Sequence, residues 1–176
     1  EAERQAVARV QIIKKNLSSY LSENRKPVRA LAGMKELGQV LRKPENLRAM
    51  VNANAVLDHF NKTLDTEVCY LMTRDGDTIA SSNRNAPDSF VGKNFDFRPY
   101  FRQAIRGRPA TYLALGTTSG RRGAYYSHPV SGKEPGTVAG VVVIKASIEL
   151  VEKEAEKATL RFCVKDTGIG MTGDQV

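Results

Sequence analysis

The chain has 176 residues, 41% of them hydrophobic and 26% charged, with a net charge of +8, which suits one globular domain with a proper hydrophobic core. No apolar run approaches the ~18 residues of a membrane helix, the longest compact one being Val138–Ile144, and the polar start (Glu1, Glu3, Arg4, Gln5) has no signal-peptide h-region, so we expect either a cytoplasmic protein or a membrane segment upstream of Glu1. The positive charge asks for acidic partners, but apart from Arg98, Arg102, Arg106 and Arg108 and the Arg121-Arg122 pair it is scattered, and no nucleic-acid-binding motif accompanies it, so nucleic acid is not expected as a partner.

Along the chain, residues 1–64 read as helical. In Ala6–Leu21 the residues Val7, Val10, Ile13, Leu17 and Tyr20/Leu21 recur at three- and four-residue steps, giving one apolar stripe on a long helix. Pro27 opens a second helix through Leu31, Met34, Leu37 and Leu41, and Pro44-Glu45 starts a third carrying Leu47, Met50, Val51, Val56, Leu57 and Phe60. After Thr66 the character changes. Val68–Thr73 reads as a strand, Asp75-Gly76-Asp77 as a turn and Thr78–Ser82 as its hairpin partner. A loop rich in Asn, Pro, Asp and Gly runs from Asn83 to Asn94, and Phe97–Arg106 reads as a short helix with Pro99 in its first turn. Three further strands follow at Ala110–Leu115, Ala124–Val130 and Thr137–Ser147, with turns at Gly116–Gly123 and Ser131–Gly136. The expectation is an α+β domain over 1–158: a five-stranded antiparallel sheet with helices packed against it, the sheet and a pocket within 66–147. Ile148–Ala158, with its alternating acids and lysines, reads as a final exit helix. The tail 159–176 does not share the pattern.

Several polar residues interrupt the sheet. Arg98 and Tyr100 lie together on the short helix; Thr117, Thr118 and Ser119 fill a glycine-bounded turn; Tyr125, Tyr126 and Ser127 lie on one strand. Lys145 follows Val141-Val142-Val143-Ile144, and a buried ammonium is costly unless an anion meets it. Strand alternation puts Lys145 on the face of Val143 and Val141. Arg is the preferred fork for a carboxylate, Lys a point-charge partner, and hydroxyls fix orientation, so these residues suit a small-anion pocket; equally, Lys145 snorkels out at a strand end and Arg98 is surface charge. No catalytic constellation competes. The two histidines, His59 and His128, and the two cysteines, Cys69 and Cys163, have no ligand spacing, so neither a metal nor a cofactor is expected, and no enzyme activity.

The strings Ile79-Ala80-Ser81-Ser82-Asn83, Asp88-Ser89-Phe90-Val91-Gly92-Lys93-Asn94-Phe95, Phe97-Arg98-Pro99-Tyr100-Phe101, Leu113-Ala114-Leu115-Gly116-Thr117-Thr118-Ser119-Gly120, Gly123-Ala124-Tyr125-Tyr126-Ser127-His128-Pro129-Val130 and Gly140-Val141-Val142-Val143-Ile144-Lys145 resemble the membrane-distal sensor domain of C4-dicarboxylate-sensing histidine kinases. The resemblance implies a PAS-like (Cache) fold with a long N-terminal helix, standing on the periplasmic side of the inner membrane. It implies a ligand such as succinate, fumarate or malate, held by Arg98, Tyr100, Thr118, Ser119, Tyr126 and Lys145, with Ser81 and Ser82 adding contacts. Members of that family usually carry a second PAS-like domain, for which this sequence has no room. In the tail, Leu160–Met171 with Asp166-Thr167-Gly168-Ile169-Gly170 resembles the Asp-x-Gly-x-Gly box of histidine-kinase ATP-binding domains, here without the rest of that domain. Three alternatives stay open: a chemoreceptor or kinase sensor for another organic acid, one for an amino acid whose ammonium group would meet Asp88 or Asp96, and a ligand-free homodimerisation module paired through the N-terminal helix.

Overall fold

The structure is a computed structural model that describes residues 25–116, 120, 122–154 and 157–162, with scattered positions between 4 and 15. Those scattered positions are helical, but most of the expected Ala6–Leu21 helix lies outside the described residues. Two short helices, α1 (Arg25–Ala32) and α2 (Lys35–Arg42), lead into the 18-residue α3 (Leu47–Leu64). The single second helix expected from Pro27 to Leu41 is therefore two. It breaks at Gly33-Met34, where the Gly33 N–H donates to both Arg29 and Ala30 carbonyls and glycine's poor helix propensity lets the turn tighten. Asn46 caps α3, its Oδ1 accepting from the Ala49 N–H at 3.0 Å. Asp65 closes the same helix in the left-handed conformation, with φ of 48°.

The strands are β1 (Val68–Thr73), β2 (Thr78–Ser81), β3 (Ala110–Leu115), β4 (Arg122–Ser131) and β5 (Val138–Glu154), and α4 (Pro99–Ala104) precedes β3. They form an antiparallel sheet in the order β2-β1-β5-β4-β3, so the expected five-stranded α+β architecture is present. β5, the last of these five in sequence, sits at the centre, because Val141, Val142, Val143 and Ile144 are buried on both faces and need neighbours on both sides.

Among the described residues, 148–154 and 157–158 are strand where an exit helix is expected. Residues 148–154 continue β5 and pair with β6 (Lys157–Phe162), setting Ile148 opposite Phe162, Glu149 opposite Arg161 and Leu150 opposite Leu160. The helix-favouring Glu, Lys and Ala content does not set the backbone here, where 148–154 stay in the ladder with β6. The tail residues Asp166, Gly168 and Gly170 lie outside the described residues.

The sheet divides two apolar layers. Cys69, Leu71, Ala80, Ala124, Tyr126, Val130, Val142, Ile144 and Ala146 pack on α1–α3 through Val28, Leu31, Leu37, Val40, Ala53 and Leu57. Gly140 belongs to this face: a Cβ there would press on the Met72 carbonyl and lie 2.8 and 2.9 Å from the Leu41 methyls, so its bare backbone is what lets α2 close on β5. On the opposite face Val68, Tyr70, Met72, Tyr125, Val141 and Val143 are covered by Phe90, Phe95, Tyr100, Phe101 and Ala104 from the 83–98 loop and α4.

Candidate functional site

The loop-covered face holds the polar groups. Asn83 organises the loop that closes over it: its Oδ1 accepts from Ser81 Oγ (2.6 Å) and the Phe90 N–H (3.2 Å), and its Nδ2 donates to the Asp88 carbonyl. Arg84 ties the same loop to α3 through a two-pronged pair with Asp58, both N–O distances 2.7 Å. Phe90 and Phe95 are thereby set against Tyr70, with ring centroids 5.1 and 6.0 Å away.

Beneath them lie three tyrosines. Tyr70 and Tyr100 share a hydroxyl–hydroxyl hydrogen bond of 2.8 Å. Tyr100 stacks on Tyr125 with centroids 5.1 Å apart and planes 4° from parallel. Ser127 Oγ donates to the Tyr100 carbonyl at 2.9 Å, holding α4 on β4. Arg98, at the N-cap of α4, is buried to 9% exposure, donates to the Leu115 carbonyl at 3.3 Å and lies over the Phe97 ring. Lys145 is fully buried, its ammonium 5.8 Å from the Tyr125 ring centroid and 6.0 Å from that of Phe90. The stem is admitted by Gly123 on the neighbouring strand, where a Cβ would stand 2.9 Å from the lysine Cε.

Lys145 is met by a carboxylate from the chain itself. Glu67 Oε1 pairs with its ammonium, and Glu67 Oε2 accepts from Ser147 Oγ at 2.9 Å. Burying this lysine is tolerable because its charge is compensated at contact distance. Both charged neighbours act on Tyr125: burial pushes its phenol up to about 12, Arg98 opposes that rise and Glu67 adds to it. Tyr70 and Tyr100 are raised too, chiefly by burial. A phenol whose folded pKa is raised holds its proton more tightly folded than unfolded. The stability this reflects is complete below the unfolded value of about 10 and drains away as pH climbs toward the folded values. In an alkaline titration followed by tyrosinate absorbance, these three of the six tyrosines are expected to ionise only together with unfolding; gradual ionisation of all six near pH ~10 in a folded chain would contradict the burial.

Of the expected site residues, the structure brings Arg98, Tyr100, Ser81 and Lys145 to one face. Ser81 faces Tyr70 across the strand pair, but its hydroxyl is spent on Asn83. Ser82 does not join them: its Oγ accepts from the Cys69 N–H, extending the β1–β2 edge. Tyr126 is on the wrong side. It pairs with Ile144, one residue out of phase with Lys145, and is buried in the helix-facing layer, while Tyr125 pairs with Lys145. Thr118 and Ser119 lie outside the described residues. Asp88 and Asp96, the acids considered for an ammonium group, are exposed; the acid in the cluster is Glu67. Sequence reasoning misses Glu67, because it sits just ahead of β1, where strand alternation does not say which way a side chain turns; Ser147 is within reach of the alternation rule, two residues beyond Lys145 on the same strand. Cys69 is an inert core thiol, pushed up to about 12 by burial. Among the described residues no group of three or more His, Cys, Asp or Glu is placed to hold a metal, and no helix is long and apolar enough to cross a membrane. A cavity of about 420 Å³ opens elsewhere, between α2 and α3, lined by Arg42, Lys43, Arg48 and amide side chains.

No protein-family model matches the chain. It is similar to the C4-dicarboxylate transport sensor protein DctB of Pseudomonas aeruginosa, 38% identical over 138 residues, or 78% of this chain and 22% of that protein. To the protein of the same description from Rhizobium meliloti it is 41% identical over 101 residues, 57% of this chain and 16% of that one. The chain thus spans less than a quarter of either curated relative. Among solved structures, the sensor domain of the V. cholerae histidine kinase DctB superposes with a TM-score of 0.73 at 34% identity, covering 81% of this chain and 54% of that one. The ligand-binding domain of the Campylobacter jejuni chemoreceptor Tlp3, solved with 4-methylisoleucine, gives 0.62 at 18% identity over 78% and 55% of the two chains, a likeness of fold alone. The chain is homologous to the sensor domains of DctB proteins, and its fold is that of Cache/PAS-like sensor domains.

Proposed function

We propose that this chain is the extracytoplasmic ligand-sensing domain of a two-component histidine kinase and that it binds a C4-dicarboxylate, with succinate, fumarate and malate as candidates. The observation that carries the reading is the fully buried Lys145 set beside Tyr125, with Arg98 and Tyr100 on the same face, in a chain homologous to DctB sensor domains. Two cations, one a planar fork and one a point charge, are the chemistry two carboxylates require. Stacked tyrosines supply an apolar wall for the carbon chain between them and hydroxyls for orientation. Thr118 and Ser119 complete the pocket in this reading. The parent protein would be tethered to the inner membrane with this domain on the periplasmic side. The tail 159–176 would be a fragment of kinase ancestry without kinase activity. Pairing of two copies through the N-terminal helix is supported by Val7, Val10 and Ile12, each more than half exposed.

The second reading is an amino-acid sensor, and Glu67 is the observation that favours it, since an acid beside a lysine and an arginine suits a zwitterion. A thermal-shift series with succinate, fumarate, malate, aspartate and alanine separates the two. At a hundredfold excess over Kd a bound ligand stabilises by about 2.7 kcal/mol, several degrees for a domain this size. We expect that shift with at least one C4-dicarboxylate and none with alanine. A shift with alanine alone supports the second reading, and no shift with any dicarboxylate at millimolar concentration overturns the first.

A further inference from the structure

Glu67 has two of its features from the fold alone. It occupies the two-residue link Thr66-Glu67 between the left-handed cap of α3 at Asp65 and the start of β1 at Val68. Its backbone N–H donates to the Lys145 carbonyl at 2.9 Å, so its side chain leaves the backbone beside the lysine it neutralises. Ser147, two residues further along β5, fixes the second carboxylate oxygen. The result is a carboxylate presented to Lys145 by the chain itself, with both oxygens hydrogen-bonded.

We infer that Glu67 is an internal competitor for the ligand's carboxylate, and that a dicarboxylate reaches Lys145 by exchanging with it. The inference rests on the dicarboxylate reading of the cluster. Two carboxylates on one buried ammonium repel each other in a site largely closed to water, so one gains the lysine at the other's expense. Glu67 is the partner able to leave: its side chain is 15% exposed where that of Lys145 is fully buried, so it has solvent to turn into. The exchange also supplies the contact difference between two states that any ligand switch needs. The group that moves is the link between α3 and the sheet, so a change at Lys145 acts directly on the end of the longest described helix.

The test is calorimetric titration of the wild-type chain, Glu67→Gln and Ser147→Ala with succinate and with aspartate. Glu67→Gln keeps a hydrogen-bond acceptor for Lys145 but removes the competing charge, and is expected to tighten succinate about tenfold. Ser147→Ala loosens Glu67 without touching its charge and is expected to tighten succinate by a smaller factor of about two to three. Both variants are checked for folding by circular dichroism, and Ser147→Ala carries the test if Glu67→Gln does not fold. Succinate affinity that is unchanged or weaker in folded variants of a wild-type chain that binds it overturns the exchange alone. Loss of aspartate binding in Glu67→Gln, with succinate unaffected, overturns it in favour of Glu67 as an ammonium acceptor. A folded wild-type chain that binds no C4-dicarboxylate overturns the functional reading and the exchange with it.

Discussion

Replacing Lys145 with methionine is expected to weaken C4-dicarboxylate binding by at least about a hundredfold and to lower stability by about 3 kcal/mol. The binding loss follows from removing one partner of a buried, hydrogen-bonded charge pair, which costs on the order of 2–5 kcal/mol. The stability loss has a separate origin. Methionine fills most of the lysine's volume against Tyr125 and Phe90, so packing changes little, but Glu67 keeps its Ser147 hydrogen bond and loses the ammonium that neutralises it in a largely buried position. An uncompensated buried charge is what makes half a buried pair expensive. Combining Lys145→Met with Glu67→Gln removes both charges and should recover most of the stability while recovering none of the affinity. Urea unfolding and calorimetry on the two single variants and the double close the cycle. If Lys145→Met binds dicarboxylate as the wild type does, the lysine is no part of the site. If the double variant is no more stable than Lys145→Met, the Glu67 pairing is not what compensates the buried ammonium.

The second large effect is one of fold. Gly140→Ala is expected to destabilise the chain by about 2–3 kcal/mol, because the new methyl presses on the Met72 carbonyl across the β1–β5 ladder and on both Leu41 methyls, at 2.8 and 2.9 Å. The half-buried Leu41 can turn its methyls aside, but the backbone oxygen cannot move without breaking the central pairing, so overpacking is relieved poorly. The expected signature in urea is a lower midpoint with an unchanged m-value. Gly140 faces the helices and Lys145 the loops, so a folded Gly140→Ala chain should retain its affinity for dicarboxylate. A variant as stable as the wild type would mean that α2 does not sit on β5 as described.

What the sequence made legible was whatever a local period or a turn residue encodes. β1 and β3 lie where alternation and flanking turns put them, and α4 begins at Pro99 because proline is pre-set for a first helical turn. Lys145 stood out because an ammonium at the end of four apolar β-branched residues has a cost that demands an anion. Errors arose where a local signal competed with a tertiary one. Residues 148–158 carry helix-favouring composition, yet 148–154 extend β5 and 157–158 lie in β6. The adjacent Tyr125 and Tyr126 are equivalent by composition, and one step of strand register sends one to the lysine and the other to the helices.

The sequence by itself therefore determined the α+β class, the strand segments, and a set of anion-seeking residues that includes Arg98, Tyr100 and Lys145. Only the tertiary structure decided that β5 is central, that Tyr125 rather than Tyr126 stands beside Lys145, and that Glu67 is the lysine's partner from 78 residues away. The reason is physical. Side-chain period and turn preference act over a few residues and are written locally, whereas the pairing of a buried charge is chosen by whichever acid the folded sheet brings within reach, and chain separation carries no information about that.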